Sequence, residues 1–495
     1  MWSAIAGVAS GDGVAAMKSM GRIIRSGERV ALSHYHLDPA QWSDMLCAPG
    51  ATLPLISCWA NDSRAYVLLL EGDCPLLAST IVEERRYLAP SSRFAGAEWG
   101  ERVSYDLYGV EAMDACGNGT PALDEGGWTS TWPLSSRPGP ASGGLRPLAG
   151  SHFLRPEQTG LSGPLDLSFE VLKGKVRTVD VCAGGAHRGV VSRLLGKTPE
   201  EAMFLVARMT AGAFVAHPLA FARAVAQARG QVPGPGIRDV WMILLEIERM
   251  SLHLFDMART ARGVDAELLA THCDHAREAI AQACSEQGVS RRLMDTVSCG
   301  GFREGLEIVP LAQAVHAAMQ PRLAALEELH RVFASRLNGF AVLDVRLAER
   351  FAVGGVTGRA SGRSMDMRRR ESGMRLEALR ATGSSRGDAR ARDRLRLAEI
   401  RDSLKLMERI LGSIGLEDDE PAPDRTDEGI GVAEGARGDV WYWVRLKNGR
   451  IENLHVRDPG VSVLPVLGAM LRGCPIERIP AALGSIGLSP AGIAL

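Results

Sequence analysis

The sequence contains no Cys-x-x-Cys pair. Its nine cysteines (Cys47, Cys58, Cys74, Cys116, Cys182, Cys273, Cys284, Cys299 and Cys474) are odd in number and scattered. A disulfide framework or a thiolate metal site normally shows even, close-spaced cysteines, so neither organises this chain and the thiols are expected to be reduced. No run of 18 apolar residues occurs, which excludes a membrane-spanning helix. The segment from Met1 to Met20 lacks the basic start, continuous apolar stretch and small-residue cleavage site of a secretory signal, so the expected compartment is the cytoplasm. A Gly-x-Gly-x-x-Gly turn between strand and helix is also missing, which excludes that dinucleotide-binding device. With 57 basic and 58 acidic residues the net charge is −1, which argues against a generic nucleic-acid binder.

What is present is an ordinary folded composition, 46% hydrophobic and 23% charged. At 495 residues the chain is long enough for two or three domains, one of them large. Apolar runs at Leu53–Trp59 and Tyr66–Leu70 flank the turn signal Asn61-Asp62-Ser63 and suit a hairpin in a small mixed first domain, residues 1–145. A Gly, Pro and Ser-rich stretch from Ser135 to Gly144 marks the boundary, and residues 150–495 form the second domain. There, Leu165–Leu172 and Lys175–Val181 around Lys173-Gly174 predict a second hairpin.

The period then becomes helical. Thr198-Pro199-Glu200-Glu201 carries a cap, a proline at the first position and a capping carboxylate, and the apolar pattern predicts a helix running to Gly230. Further helices are predicted from Ile237 to Arg262, closed by Gly263, and over 265–286, 310–337 and 389–414. No internal repeat is present. The fold class is α+β: a small α/β domain followed by a large, mainly helical one with a β-hairpin at its start.

Glu246, Arg249 and His253 stand at i, i+3 and i+7 and share one helix face. The spacing allows an internal salt bridge with a packed histidine, or a polar strip lining a proton path, since ionisable groups inside a bundle are costly unless paired or used. Between Arg359 and Arg409, 15 basic residues face 8 acidic ones. No aromatic residue is there to stack on bases, and Asp388, Asp393, Glu399 and Asp402 interleave with the arginines, as in ion-paired helix packing. His187-Arg188-Gly189 follows Gly184-Gly185 and predicts a tight strand-to-helix corner. His217, His272 and His275 lie on helical patterns without ligand-spaced neighbours and are expected to be structural or surface histidines.

In order, these pieces resemble the large-subunit family shared by energy-converting [NiFe] hydrogenases, formate hydrogenlyase and respiratory complex I, in the form where the C and D subunits of complex I are fused. Trp99-Gly-Glu-Arg-Val-Ser-Tyr-Asp-Leu-Tyr-Gly109, Gly127-Trp128 and Trp132-Pro133-Leu134 are similar to elements of the C-type chain. His187-Arg188-Gly189 fits His-Arg-Gly; Leu245-Glu246-Ile247-Glu248-Arg249 with His253-Leu254 fits Leu-Glu-x-Glu-Arg-Leu-x-x-His-Leu. Gly300-Gly301-Phe302-Arg303 fits Gly-Gly-x-Arg, and Arg359-Ala-Ser-Gly362 with Asp366 and Arg368 fits Arg-Ala-Ser-Gly-x-x-x-Asp-x-Arg. Gly387-Asp388, Arg392, Arg396, Glu399 and Ser403 follow a complex I pattern, and Glu434-Gly435-Ala436-Arg437-Gly438-Asp439 resembles Glu-Ala-Pro-Arg-Gly-Glu.

The resemblance implies a nickel–iron site on four thiolates, but Thr210, Ala213, Ser489 and Gly492 occupy the ligand positions, so no metal and no nickel–iron turnover are expected. It also implies a quinone tunnel of the complex I kind. Ala211 stands at the tyrosine position and Ser162-Gly163-Pro164-Leu165 has no His-Gly, with only His152 upstream. The cavity near Arg208, Thr210 and Ala211 would then hold a quinone or another acceptor, with no cofactor bound firmly by this chain. By the same resemblance, Glu246, Glu248, Arg249 and His253 would form a proton path, with His187, Arg188 and Asp366 as further site residues.

The implied partners are an iron–sulfur small subunit, which would carry the clusters, and antiporter-like and other membrane subunits. The implied location is the inner face of the cell membrane, without insertion. The alternatives are a non-catalytic scaffold, its cavity filled by apolar side chains such as Met209, Phe214 and Val215, and, third, a conventional hydrogenase.

Overall fold

The computed structural model describes residues 19–50, 52–117, 121–123, 128–141, 152–154, 165–183, 187–371, 386–415, 424–493 and 495. Most of the N-terminal segment, Gly127, Ser142–Gly144, Ser162–Pro164 and Gly184-Gly185 lie outside these residues. The chain divides into two compact units, one of Met1–Gly144 with Glu420–Thr426, the other of Leu145–Asp419 with Asp427–Leu495.

The first unit is built on a mixed five-stranded sheet ordered β1-β2-β5-β4-β3. Its strands are β1 (Glu28–Ala31), β2 (His34–His36), β3 (Leu55–Ala60), β4 (Arg64–Glu71) and β5 (Cys74–Ile81). The β3–β4 hairpin turns at Asn61, whose side chain accepts from the Ser63 and Arg64 amides and so closes the loop locally. β2 and β5 pair in parallel, the other neighbours antiparallel. Helices α1 (Met20–Arg25) and α2 (Pro39–Cys47) contribute Ile24, Trp42 and Met45 to a core with Val67, Leu69 and Ala78 of the sheet. Helix α3 (Glu98–Tyr108) carries the Trp99–Gly109 motif and ends on Gly109 at φ +68°, where a side chain would be strained. Its buried carboxylates brace the fold: Glu101 accepts from the Ser91 amide at 2.6 Å, and Asp106 from the Ala122 and Leu123 amides at 2.7 Å. Short strands β6 (Arg86–Leu88) and β7 (Glu111–Met113) pair in parallel beside it.

The second unit opens with β8 (His152–Leu154), β9 (Asp166–Leu172) and β10 (Lys175–Cys182) in an antiparallel sheet. Gly189, at φ +60°, starts α4 (Val190–Leu194). The helix predicted from Thr198 to Gly230 is two helices, α5 (Pro199–Val206), with the predicted capping box, and α6 (Ala216–Ala228). Between them the chain leaves helical geometry, with Gly212 at φ +94°, so Arg208–Ala213 form a loop. Helix α7 (Pro235–Arg262) is the axis of the unit, flanked by α8 (Glu267–Glu286), α13 (Ala389–Leu411) and α15 (Ile479–Ile486). The hairpin β11 (Val297–Ser298) and β12 (Gly301–Phe302) leads into α9 (Ile308–Val332), followed by α10 (Val345–Arg350), α11 (Gly355–Ala360) and α12 (Arg368–Glu371).

A three-stranded antiparallel sheet that the sequence patterns did not announce, β13 (Glu428–Gly435), β14 (Gly438–Lys447) and β15 (Arg450–Arg457), packs on α6. The approach is close enough that a Cβ on Gly431 would lie 2.0 Å from the Ala220 carbonyl oxygen. Asp458 caps α14 (Pro459–Leu471) by accepting from the Gly460 amide at 2.7 Å.

Candidate functional site

Glu246, Arg249 and His253 do share the buried face of α7, and each is fully enclosed. Arg249 holds Glu246 at 3.0 Å and donates to the Gly435 carbonyl at 3.1 Å and to the Glu434 carbonyl. His253 Nε2 meets Glu399 of α13 at 2.9 Å. Arg359 of α11 donates at 2.7 Å to both Glu399 and Glu434, and lies 3.3 Å from Asp366. Arg368 pairs with Asp366 at 2.6 Å and reaches Glu246 at 3.4 Å, and Ser403 donates to Glu246. The resulting cluster joins α7, α11, α12, α13 and β13.

Its charges do not balance. Arg249, Arg359 and Arg368 face the carboxyl groups of Glu246, Asp366, Glu399 and Glu434, three cations against four acids. Burial would raise all four acids. Arg249 and Arg368 hold Glu246 below its ordinary value, and Arg359 and Arg368 hold Glu399 far below. Asp366 is held down by Arg368 and Arg359. Glu434 moves the other way, because burial and then the negative charge of Asp366 outweigh Arg359. Glu434 is thus the one acid of the four whose proton affinity is raised, to about 7, while the other three are lowered. Burial pushes His253 down to about 4, so its imidazole is neutral at neutral pH.

Glu248 leaves this group. One residue from Ile247, it points to the start of α6, where its carboxyl accepts from the Val215 amide and from Ala216 at 3.1 Å. Burial pushes it up to about 8 despite those donors.

A cavity of about 30 Å³ lies where Thr210, Ala213 and Ser489 meet Gly435–Gly438 and Asp458. Three of the four positions that the resemblance aligns with metal ligands thus come together. The fourth, Gly492, presses on Asp458, since a Cβ there would lie 2.1 Å from its carboxylate. Arg188 ties the two elements by donating to the Met209 carbonyl and, at 2.9 Å, to the Ala491 carbonyl. Arg437 lines the cavity and is held by Asp256 at 2.6 and 3.0 Å. Arg208 and Ala211 are not part of it: Arg208 turns outward to Asp295 at 2.6 Å, and Ala211 is exposed.

Nickel–iron does not fit these residues, because hydroxyls, a methyl and a backbone hydrogen replace soft thiolates, and Asp458 fills the space a Gly492 side chain would need. Nor does a quinone ring fit, the cavity being far below the roughly 300 Å³ at which organic ligand pockets begin. It has room for water, and the buried Ser489 hydroxyl, with no hydrogen-bond partner among the described residues, faces into it.

His217, expected from the sequence to be structural or at the surface, is the former. It is fully buried, bonded to Tyr442 at 2.9 Å and to Asp458 at 3.1 Å, while Thr210 donates to the same Asp458 oxygen. Its place seven residues after Thr210 was the available signal for this shared contact. His272 and His275 are on the surface.

Residues 268–426 match the family described as respiratory-chain NADH dehydrogenase, 49 Kd subunit. The chain is 25% identical over 346 residues to the carbon monoxide-induced hydrogenase of Rhodospirillum rubrum, covering 67% of this chain and 95% of that one. It is 24% identical over 330 residues to the C/D subunit of the NADH-quinone oxidoreductase of Bacteroides thetaiotaomicron, covering 64% of this chain and 62% of the relative. Its fold matches a chain of the membrane-bound sulfane sulfur reductase, an archaeal respiratory membrane complex, with a TM-score of 0.60 at 19% identity, over 70% of this chain and 98% of that chain. No helix among the described residues is long and apolar enough to cross a membrane. Family match, relatives and fold agree in direction: the chain is similar to the 49 Kd-type subunit of NADH dehydrogenase, to a carbon monoxide-induced hydrogenase and, in fold, to a chain of a membrane-bound respiratory complex.

Proposed function

We propose that the chain is the large subunit of a membrane-associated electron-transfer assembly whose nickel–iron site has degenerated, and that it couples electron delivery from a partner's iron–sulfur cluster to proton movement. The observation that carries this reading is the segment Glu434–Gly438. Glu434 gives the charge cluster its one carboxyl of raised proton affinity, and the next four residues wall the cavity. A change of charge beside the cavity would act on Arg437 and, through the backbone that Arg249 grips, on Glu434.

The Glu246–Arg249–His253 strip works in this reading as the counter-charge that sets where the proton rests. His187 has no step assigned to it, and Arg188 and Asp366 act by positioning. The cavity, at about 30 Å³, favours water as its guest, and in this reading a quinone or other acceptor binds elsewhere in the assembly. The first domain is taken as equivalent to the C-type chain of complex I, and the whole protein as peripheral to the inner face of the membrane. Its partners are an iron–sulfur small subunit and antiporter-like membrane subunits. A pure scaffold is the weaker reading, because Thr210, Arg437, Asp458 and Ser489 set polar groups into an otherwise largely apolar wall.

Affinity purification of the tagged protein from detergent-solubilised membranes, followed by mass spectrometry, tests the assembly. Co-purifying iron–sulfur and antiporter-like subunits are expected. Recovery of the chain alone from the soluble fraction would overturn it.

A further inference from the structure

Beside the inner cavity lies a second cleft of about 30 Å³, and the Leu252 side chain lines both. Arg277, Arg291 and Arg292 stand around this cleft, with Glu248 and Ser251 among its other walls. Its positive charge is only partly answered. Arg291 pairs with the exposed Glu278 at 2.6 Å. Arg277 lies over the Phe255 ring, 4.9 Å from its centroid, and burial and then the charge of Arg292 lower its proton affinity by more than Asp274, Asp256 and Glu278 raise it. Glu248 does not supply the missing anion, because its oxygens face the Val215 and Ala216 amides. Burial pushes it up to about 8, so at neutral pH it is an uncharged acid.

We propose that this cleft binds a small inorganic oxyanion, with Arg291 and Arg292 donating from the rim, Arg277 contributing charge from the half-buried wall and the Ser251 hydroxyl completing the site. Planar guanidinium forks suit the spaced oxygens of such an ion, and charge-assisted bonds of this kind are the strong ones. The size of the cleft admits a few heavy atoms and excludes a nucleotide. The site stands independently of the electron-transfer reading, since it requires no metal, cluster or partner.

The test is calorimetric titration of inorganic phosphate into the full chain, purified with its co-purifying subunits, at constant ionic strength in chloride. Saturable binding of one phosphate per chain is expected. R292Q, at an exposed position where folding is not at stake, is expected to weaken binding about tenfold, the loss of one charge-assisted bond, and S251A by less. R331Q, at a surface arginine that pairs with Glu328 and does not line the cleft, is expected to leave it unchanged. Non-saturable heat, or equal affinity in R292Q and the parent, would overturn the proposal. Acetate binding as tightly as phosphate would overturn the assignment to an inorganic oxyanion.

Discussion

Arg359 and Glu434 meet at 2.7 Å although 75 residues separate them, and that contact ties α11 to β13 across the axis of the second unit. The same guanidinium grips Glu399, so its loss would leave buried carboxylates facing each other. R359Q is expected to cost about 3–5 kcal/mol in a denaturant titration, the range for breaking one side of a buried ion pair. E434Q keeps an acceptor for Arg359 but turns its NH2 toward the Met367 amide, from which Oε2 of Glu434 accepts, so it is expected to cost about 1–3 kcal/mol, less than R359Q.

Glu248 gives the protein a pH dependence of definite sign. Its folded value, about 8, lies above the unfolded carboxyl value, so its contribution is fully present below the unfolded value. It is lost as pH rises toward about 8, at a limiting slope of about 1.4 kcal/mol per pH unit. Gln at this position keeps an acceptor for one of the Val215 and Ala216 amides and turns its NH2 toward the other, a loss that does not vary with pH. Melting curves of E248Q across this window are expected to lack that component of the slope, and an unchanged slope would show that Glu248 is ionised in the native state.

The contact of β13 with α6 depends on missing side chains. A methyl on Gly429 would lie 2.1 Å from the Ala224 carbonyl oxygen and one on Gly431 2.0 Å from that of Ala220. Backbone cannot yield as a flexible side chain can, so G429A and G431A are each expected to destabilise by about 1–3 kcal/mol, read from chemical denaturation.

Metal analysis of the purified protein is expected to show no stoichiometric nickel. Replacing Thr210, Ala213, Ser489 and Gly492 together by cysteine is expected not to recover it, because the fourth thiol would collide with Asp458. Nickel at one equivalent in the parent protein would refute the degenerate-site reading.

The helix faces were legible where the signal is local. Thr198-Pro199 and Pro235 announce helix starts, and i, i+3, i+7 spacing placed Glu246, Arg249 and His253 together. Glu248 was grouped with them through its motif, although it lies two positions from Glu246 and therefore on another side of α7. The break between α5 and α6 was hidden because apolar residues continue through Met209, Phe214 and Val215, while Gly212 turns the chain. Strand β14 was hidden because Trp441–Val444 is buried throughout, which erases the alternation that marks a half-buried strand. The partners of the polar strip lay beyond local reading altogether, since Glu399 is 146 residues from His253.

Redox-difference infrared spectroscopy of the purified assembly, with E434Q as control, tests the coupling most directly. Reduction of the partner clusters near neutral pH is expected to change a buried carboxylic C=O band that is absent in E434Q. A difference spectrum identical in the parent and E434Q would contradict the proposed role of Glu434 as the proton-bearing group of the site.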